Sequence, residues 1–323
     1  MSVRTILAVD GGNSKTDVAV LTEAGAILGR ARGPGFEPHR VGVPAAVDVI
    51  AETVRQAMGD IRPPFADHVA AFLAGADLPE EEEALRAELE RRGYGRTVEV
   101  GNDTFAILRA GARHGWGVAV VCGAGVNAAG VGPDGHVARF PSLGRISGDW
   151  GGGMHLAEEV LWHAVRAEDG RGQATALAPM VRARFGVDQV VDVALGLHRG
   201  EIAMSDLDGL VVPLFVLAKS DEVAAEIVGR MADEVCALGT VILDRLGLLD
   251  TPTEVVLGGG ILTAGDPAFT EAIRAKYAKR APLAELVIGS RDPIVGVAQL
   301  GLDRLDAPPA AYDRVADELA TMT

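Results

Sequence analysis

The sequence is poor in aromatic side chains, cysteine and lysine, and these shortages exclude several classes of protein. Aromatic residues make up 4% of the 323 residues, so the 48% apolar share consists mainly of small and aliphatic side chains suited to packing helices on a sheet. The two cysteines, Cys122 and Cys236, lie far apart without a CxxC spacing, which argues against a disulfide framework and a zinc ribbon. Lysine occurs at four positions, and one of them, Lys15, falls within a glycine-rich loop.

The balance of charge and hydropathy restricts the partners of this chain. Its formal net charge is −15, from 30 basic and 45 acidic residues, so it should repel nucleic acid and anionic membrane surfaces. No apolar run reaches the roughly 18–20 residues that cross a bilayer, and the opening residues lack the apolar segment and cleavage site of a secretory signal. We therefore expect a cytoplasmic protein that binds neither nucleic acid nor membrane.

Hydrophobic patterning predicts an α/β protein made of two similar lobes. Strand, glycine loop, strand, turn and strand follow one another over 3–32, and the same order returns over 117–140. Because three strands and both turns correspond, an internal repeat of roughly 110 residues is a better interpretation than a chance match of two hairpins. We predict an N-terminal lobe over 1–112 and a C-terminal lobe over 113–291, with a helix over about 292–310 packing back on the first lobe.

Apolar residues at helical spacing predict the main helices. They indicate helices over 43–58, 208–219, 221–247 and 267–280, among others. A charged helix over 79–92 begins near Pro79 and pairs acids with arginines four residues on, as a solvent-exposed helix does.

The first glycine loop follows Asp10 at the end of the opening strand. Glycines let the backbone turn and approach a ligand closely, so successive N–H groups can form a nest for phosphate, with Ser14, Lys15 and Thr16 adding donors. Asp10 would face this loop and hold hydrated Mg²⁺, whereas an ordinary Asp-Gly hairpin turn is the alternative. The residues predicted to bind phosphate here are Gly11, Gly12, Asn13, Ser14, Lys15 and Thr16.

The second glycine loop, Gly123-Ala124-Gly125, would clasp the other side of the same phosphate chain. Two loops on two lobes imply a cleft that closes on one triphosphate. Cys122 takes the place of Asp10 in the repeat, and we interpret it as a small buried strand residue. The run Gly258-Gly259-Gly260 follows a predicted strand and could contact the adenosine end of ATP, although a plain strand-to-helix turn also explains it.

Two further aspartates lie where chemistry is expected. Asp103 follows a strand and opens a helix between the two repeats, where it could orient an attacking hydroxyl and accept its proton. A plain helix cap at Asn102 or Asp103 is the equally weighted alternative. Asp149, in the tight segment GDWGGG, could bind sugar hydroxyls or simply place an acid at a helix N-terminus.

Taken together, these motifs resemble the BadF/BadG/BcrA/BcrD ATPase family, which includes N-acetylglucosamine kinases. The resemblance runs in the family's order from about residue 4 to 305 and is carried by LAVDGGNSKTDVAVL, GNDTFAILRAG, VVCGAGVNAAGV, SGDWGGG and VVLGGGIL. It implies an actin-like ATPase fold with two ribonuclease H-like lobes and phosphorylation of a sugar hydroxyl by ATP with Mg²⁺. It also implies that Asp103 is the catalytic base and that Asp10 organises Mg²⁺. We also expect a homodimer.

The resemblance assigns substrate-facing positions as well. These are Glu37, Gly75, Ala76, Asn127 and Asp149. The second loop reads GAGVN where relatives often have GTGSN, so hydroxyl donors are lost at Ala124 and Val126. The stretch GFEPHRVG replaces one in which an asparagine helps to read the sugar. We therefore expect a kinase for an amino sugar or an N-acetylhexosamine.

Other functions fit parts of the pattern. The same family contains ATP-driven activators of reductases and dehydratases, which carry an iron–sulfur cluster ligated by cysteines, but neither Cys122 nor Cys236 is placed for that role. A non-catalytic regulator that binds sugar or nucleotide is another alternative, although no DNA-binding segment is appended. A kinase of the ROK type is disfavoured because its cysteine-rich zinc motif is absent.

Overall fold

The structure, a computed structural model, describes residues 3–321, and two five-stranded sheets form its framework. The strands are β1 (Thr5–Gly11), β2 (Thr16–Thr22), β3 (Ile27–Gly33), β4 (Ala66–Leu73), β5 (Gly95–Asn102), β6 (Gly117–Cys122), β7 (Val126–Val131), β8 (Val137–Arg139), β9 (Thr253–Gly258) and β10 (Ala284–Ile288). The helices are α1 (Pro38–Val41), α2 (Val43–Met58), α3 (Pro79–Arg91), α4 (Asp103–Gly111), α5 (Gly152–Glu168), α6 (Leu177–Phe185), α7 (Val190–Arg199), α8 (Val211–Leu217), α9 (Glu222–Arg245), α10 (Gly260–Thr263), α11 (Pro267–Arg280), α12 (Pro293–Arg304) and α13 (Pro309–Thr321).

The two sheets have the same strand order. The first runs β3-β2-β1-β4-β5 and the second β8-β7-β6-β9-β10. In this order, neighbouring strands among the first three of each sheet are antiparallel. The last two strands run parallel to the third, central strand. This correspondence confirms the duplicated α/β fold that the sequence predicts.

The first sheet is covered on both faces. Helix α2 packs Val47, Ile50 and Val54 on one face, which explains its helical periodicity in the sequence. Helices α12 and α13 cover the other face, where α12 joins the same apolar cluster as Ile6 of β1. A Cβ atom at Gly296 would lie 1.9 Å from the carbonyl oxygen of Ala106, so only glycine lets α12 cross α4 this closely.

These contacts bear on how the chain divides into lobes. We propose that the first lobe comprises residues up to 112 together with 293–321, and that residues 113–291 form the second. The first two residues of the predicted 1–112 segment lie outside the described residues. In the second lobe, β6 and β7 pack against the long helix α9, whose Val235, Cys236 and Ile242 are buried.

Within residues 3–321, no helix combines the length and apolar character needed to cross a bilayer.

The topology brings loops from both sheets to one place. Strand β4 lies between β1 and β5 and is parallel to both, so the carboxyl ends of these three strands meet at one edge of the sheet. The loop between β6 and β7 occupies the same position in the second sheet as the loop between β1 and β2 in the first. Both loops border a cleft between the sheets.

Candidate active site

A cleft of about 290 Å³ lies between the two glycine loops and the carboxyl ends of β4 and β5. Its lining contains two carboxylates, and no lysine, arginine or histidine is among the described residues that form it. The lining residues are Asn13, Ser14, Ala74, Gly75, Asp77, Asp103, Thr104, Val121, Gly123, Ala124, Gly125, Val126, Asn127 and Ser142.

The first loop is braced by its own lobe. Its Gly12 N–H donates to the Lys15 carbonyl at 2.9 Å, and the Gly12 carbonyl accepts from the Phe36 N–H at 2.8 Å. These bonds fix the tip of the hairpin and leave Asn13 and Ser14 on the cleft wall. Of the six residues predicted to bind phosphate in this loop, these two line the cleft.

The flanks of the first loop have other partners. The buried Thr16 hydroxyl donates to the Pro34 carbonyl at 2.7 Å, so it ties the base of the hairpin to the following segment. The Lys15 ammonium lies 3.1 Å from the Asp17 carboxylate. The Gly11 carbonyl oxygen accepts from the Ala74 N–H at 2.6 Å. These contacts hold the loop in shape beside the cleft.

The second loop is braced by the start of helix α5. The Gly123 carbonyl accepts from the Gly153 N–H at 2.8 Å, and the Ala124 carbonyl accepts from the Met154 N–H at 3.1 Å. In a planar trans peptide the N–H points opposite to the C=O. The N–H groups of Ala124 and Gly125 therefore point away from α5, on a loop that lines the cleft. Such paired N–H groups bind anionic oxygens.

The Asp103 carboxyl lies in the cleft wall and has a raised pKa. Burial, and then the charge of Asp77, raise its pKa to about 6. The cap of helix α4 is Asn102, whose Oδ1 accepts from the Thr104 N–H at 3.0 Å. The plain capping role left open by the sequence thus falls to Asn102. Asp103 is left as a partly exposed carboxyl in the cleft wall.

Asp10 is buried at the end of β1, behind the first loop. Burial, and then the charges of Asp103 and Asp17, raise its pKa to about 7, while Lys15 acts in the opposite direction. A buried carboxylate surrounded by other carboxylates is stabilised by a cation, and carboxylate oxygens are the ligands that Mg²⁺ prefers. The residues at this point therefore fit a hydrated divalent cation.

A chain of amide hydrogen bonds crosses from one lobe to the other. The Asn127 Nδ2 of β7 donates to Asn102 Oδ1 at 3.2 Å, and Asn102 Nδ2 donates to Asp77 Oδ1 at 2.8 Å. The Ser142 hydroxyl donates to Asn127 Oδ1. Asn127 therefore lies in the cleft, and through Asn102 its side chain connects the second lobe to Asp77.

Asp149 has local partners. Its carboxylate accepts from the Ser147 hydroxyl at 2.6 Å and from the Gly144 N–H at 3.1 Å, and it is 8% exposed. It stabilises the short turn before α5 and does not line the cleft described above.

Several other predicted residues lie outside the cleft lining. Glu37 pairs with Arg40 at the start of α1, and Ala76 is fully buried beside the lining residue Gly75. The run Gly258–Gly260 ends β9 and begins α10, against the backbone of Cys122. Burial raises the pKa of the Cys122 thiol to about 12, consistent with an inert strand residue.

Sequence reasoning missed three polar residues of the cleft, namely Asp77, Thr104 and Ser142. Asp77 had a signal, since it is an acid shortly after the carboxyl end of a buried strand. Thr104 follows a predicted catalytic residue directly. Ser142 carried no such sequence signal. Its own φ is 53°, and only the tertiary fold brings its loop to Asn127.

Comparisons with known proteins agree with this architecture. The model of the BadF/BadG/BcrA/BcrD ATPase family matches residues 7–301. A curated relative, the N-acetyl-D-glucosamine kinase of Dictyostelium discoideum, is 24% identical over 319 residues, covering 94% of this chain and 99% of the relative.

Solved structures show the same fold. A provisionally assigned N-acetylglucosamine kinase from Chromobacterium violaceum superposes with a TM-score of 0.71 at 21% identity, covering 93% of this chain and 99% of the other. A ROK family glucokinase from Streptomyces griseus superposes with a TM-score of 0.56 at 17% identity, covering 93% and 99%. The predicted actin-like ATPase fold is thereby confirmed. With its twin loops, its cleft and a family match over most of its length, the chain belongs to the BadF/BadG/BcrA/BcrD ATPase family.

Proposed function

We propose that this protein is an ATP-dependent sugar kinase that transfers the γ-phosphoryl group to a hydroxyl of an amino sugar or an N-acetylhexosamine. The observation that carries the proposal is the Asp103 carboxyl, which lies in the same cleft as the two glycine loops and has a pKa of about 6. The kinases among its relatives and structural neighbours support the same reaction class.

The two loops would hold the phosphates from opposite sides. The N–H groups of Ala124 and Gly125 supply donors from the second lobe, and Asn13 and Ser14 supply them from the first. Asp10 would hold Mg²⁺ through water, and the bound ion would neutralise charge on the phosphate oxygens. Closure of the lobes would exclude water and so favour transfer to the sugar over hydrolysis.

Asp103 would orient the acceptor hydroxyl and take its proton. Phosphoryl transfer passes through a loose transition state, so the proton is lost late and a carboxylate suffices as its acceptor. A pKa of about 6 makes Asp103 a stronger base than an ordinary aspartate and still leaves it mostly ionised at neutral pH. Asp77 contributes by raising the pKa of Asp103 through its charge.

The electrostatics of the cleft favour certain acceptors. Asp77 and Asp103 line it, and no basic side chain does so among the described residues. A neutral or cationic sugar can donate hydrogen bonds to these carboxylates, whereas a sugar acid or sugar phosphate would be repelled. We further propose that the protein is a homodimer and that it is cytoplasmic.

The direct test is phosphorylation of a sugar panel by the purified protein with Mg·ATP. The panel contains glucose, glucosamine, N-acetylglucosamine and, as an anionic control, glucuronate. We expect transfer to at least one of the first three and none to glucuronate. D103N should lower kcat by roughly 10²–10⁴-fold, while the matched change D134N, in the turn between β7 and β8, should leave it unchanged.

Two outcomes contradict this proposal: no phosphorylated sugar with any acceptor, or equal rates for D103N and the wild-type protein. The alternative of an ATP-driven activator with an iron–sulfur cluster has less support, because Cys122 and Cys236 are both buried.

A further inference from the structure

Thr104 carries a hydroxyl group with no partner. The residue belongs to the first turn of α4, directly after Asp103, and it is fully buried in the cleft wall. Within residues 3–321, its Oγ1 atom makes no hydrogen bond. An unpaired buried hydroxyl is destabilising and rare, so its presence calls for a physical reason.

The usual local uses of a helical threonine do not apply here. The Thr104 N–H is already capped by Asn102, so the hydroxyl is not needed for that. Threonine within a helix often donates to the carbonyl three or four residues earlier, but at Thr104 those residues, Val100 and Gly101, belong to strand β5. A valine would fill the same space without an unpaired polar group.

The surroundings of Thr104 indicate which ligand its hydroxyl meets. Asp103 precedes it, and Asp77 is joined to its cap residue Asn102 by a hydrogen bond of 2.8 Å. A phosphate oxygen beside two carboxylates would be repelled, whereas the hydroxyl or nitrogen substituents of a sugar would not. A threonine hydroxyl can both donate to and accept from such a substituent.

We infer that Thr104 is a specificity-determining residue that hydrogen-bonds a polar substituent of the acceptor sugar, beside the hydroxyl that Asp103 orients. Asp103 and Thr104 both line the cleft, so one small ring bound there can contact both residues. This inference rests on the proposed sugar kinase function and assigns one residue to the recognition of its acceptor.

The test is the near-isosteric change T104V, studied with whichever sugar the wild-type protein phosphorylates. We expect the acceptor KM to rise roughly five- to tenfold, as for the loss of one hydrogen bond, with the KM for ATP unchanged. The thermal midpoint of the ligand-free protein should not fall, because the substitution removes an unpaired polar group. T104S, which restores the hydroxyl, should recover most of the acceptor affinity.

Thr240 provides a matched control. It is also buried in a helix, but its hydroxyl donates to the Cys236 carbonyl at 2.7 Å, away from the cleft. T240V should leave both KM values unchanged. If T104V proves insoluble, T104A serves instead, since alanine suits a helix and also removes the hydroxyl.

A second measurement locates the contact on the sugar. Deoxy analogues of the acceptor, each lacking one hydroxyl, are compared between the wild-type protein and T104V. We expect one analogue to be a poorer substrate for the wild-type protein and to show no further loss with T104V, as two changes to one contact do.

The possible failures are separable. An unchanged acceptor KM in both T104V and T104A, with the wild-type protein active on sugars, overturns this inference alone. A drop in ligand-free stability in T104V together with an unchanged KM would assign Thr104 a packing role and also overturn it. Absence of any sugar phosphorylation by the wild-type protein overturns the proposed function, and this inference with it.

Discussion

The two glycine loops occupy equivalent positions in the two sheets, yet their surroundings differ. The first loop has the buried Asp10 and the Lys15–Asp17 pair around it and is braced by the segment after β3. The second has Cys122 in place of Asp10 and is braced by backbone bonds from α5. Duplication has thus kept a backbone cradle in both lobes, while the charged groups are concentrated in one.

The largest effect is expected from substitutions at the two equivalent residues, Asp10 and Cys122. D10N should lower kcat by roughly 10²–10³-fold, because it removes the carboxylate proposed to organise Mg²⁺ around the phosphates. C122S, at the equivalent strand end, should change kcat less than about threefold, because its side chain is buried and uncharged. Steady-state kinetics with whichever sugar the wild-type protein phosphorylates would compare the two variants. Equal losses would show that the lobes contribute alike.

The brace of the second loop can be loosened separately. A Cβ atom at Gly152, where φ is +82°, would lie 2.5 Å from the Cα of Gly125, so G152A should displace the loop. We expect the KM for ATP to rise roughly tenfold, since a displacement of about 1 Å misaligns the donors. The control G170A places alanine at a φ of +81° with nothing within 4 Å, so it adds similar backbone strain without the clash. If G152A and G170A had similar KM values for ATP, the proposed role of α5 in bracing the second loop would be wrong.

The pH dependence of folding stability tests the difference in charge between the surroundings of the two loops. The folded pKa of Asp10 is raised to about 7, so the folded state binds this proton more tightly than the unfolded state, and stability is lost as pH rises from about 4 through 7. Without Mg²⁺ at pH 8, D10N should therefore unfold about 2–4 °C above the wild-type protein, as for a gain of about 1 kcal/mol.

That difference should shrink at pH 5, where Asp10 is protonated. Mg·ATP should stabilise the wild-type protein at pH 8 and have less effect on D10N. Differential scanning fluorimetry measures both, with D134N as the exposed control. A lower midpoint for D10N at pH 8 would contradict the repulsion described for Asp10.

The smallest effect is expected from a contact between the lobes. Arg139 of β8 pairs with Glu82 of α3 at 2.5 Å, and both are partly exposed. Because such pairs contribute about 0–1 kcal/mol, R139M should change the thermal midpoint by less than about 2 °C and kcat by less than about twofold. A larger loss of activity would indicate that this pair, rather than the amide chain through Asn127, controls closure of the cleft.

The sequence predicts well what local signals specify. Helices over 43–58 and 267–280 are confirmed at their predicted bounds, since each carries a proline in its first turn, and apolar periodicity also marks the first of them. The predicted helix over 208–219 is wrong in its continuity. A 3₁₀ segment, Met204–Leu210, comes first and α8 begins at Val211, because Pro213 lacks an N–H and is tolerated only in a first turn.

The site was less accessible to sequence reasoning for a physical reason. Asp10 lies at the end of β1 and Asp103 directly follows β5, so the chain order alone suggests their roles, which stay predictions. Asp77 meets Asn102 only because β4 and β5 are neighbours, and Asn102 meets Asn127 only because the lobes approach. Contacts between distant segments are set by the sheet order and the cleft, which no local pattern encodes.

The crossing of α12 over α4 has a consequence for synthesis of the chain on the ribosome. Ile6 and Ala8 of the first sheet are covered by α12 and α13, which follow the second lobe in the chain. One apolar face of the first sheet therefore stays uncovered during translation until α12 and α13 have emerged from the ribosome. The second lobe, although encoded later, can finish folding earlier. We expect this protein to depend most on chaperones during translation, while its first lobe is still incomplete.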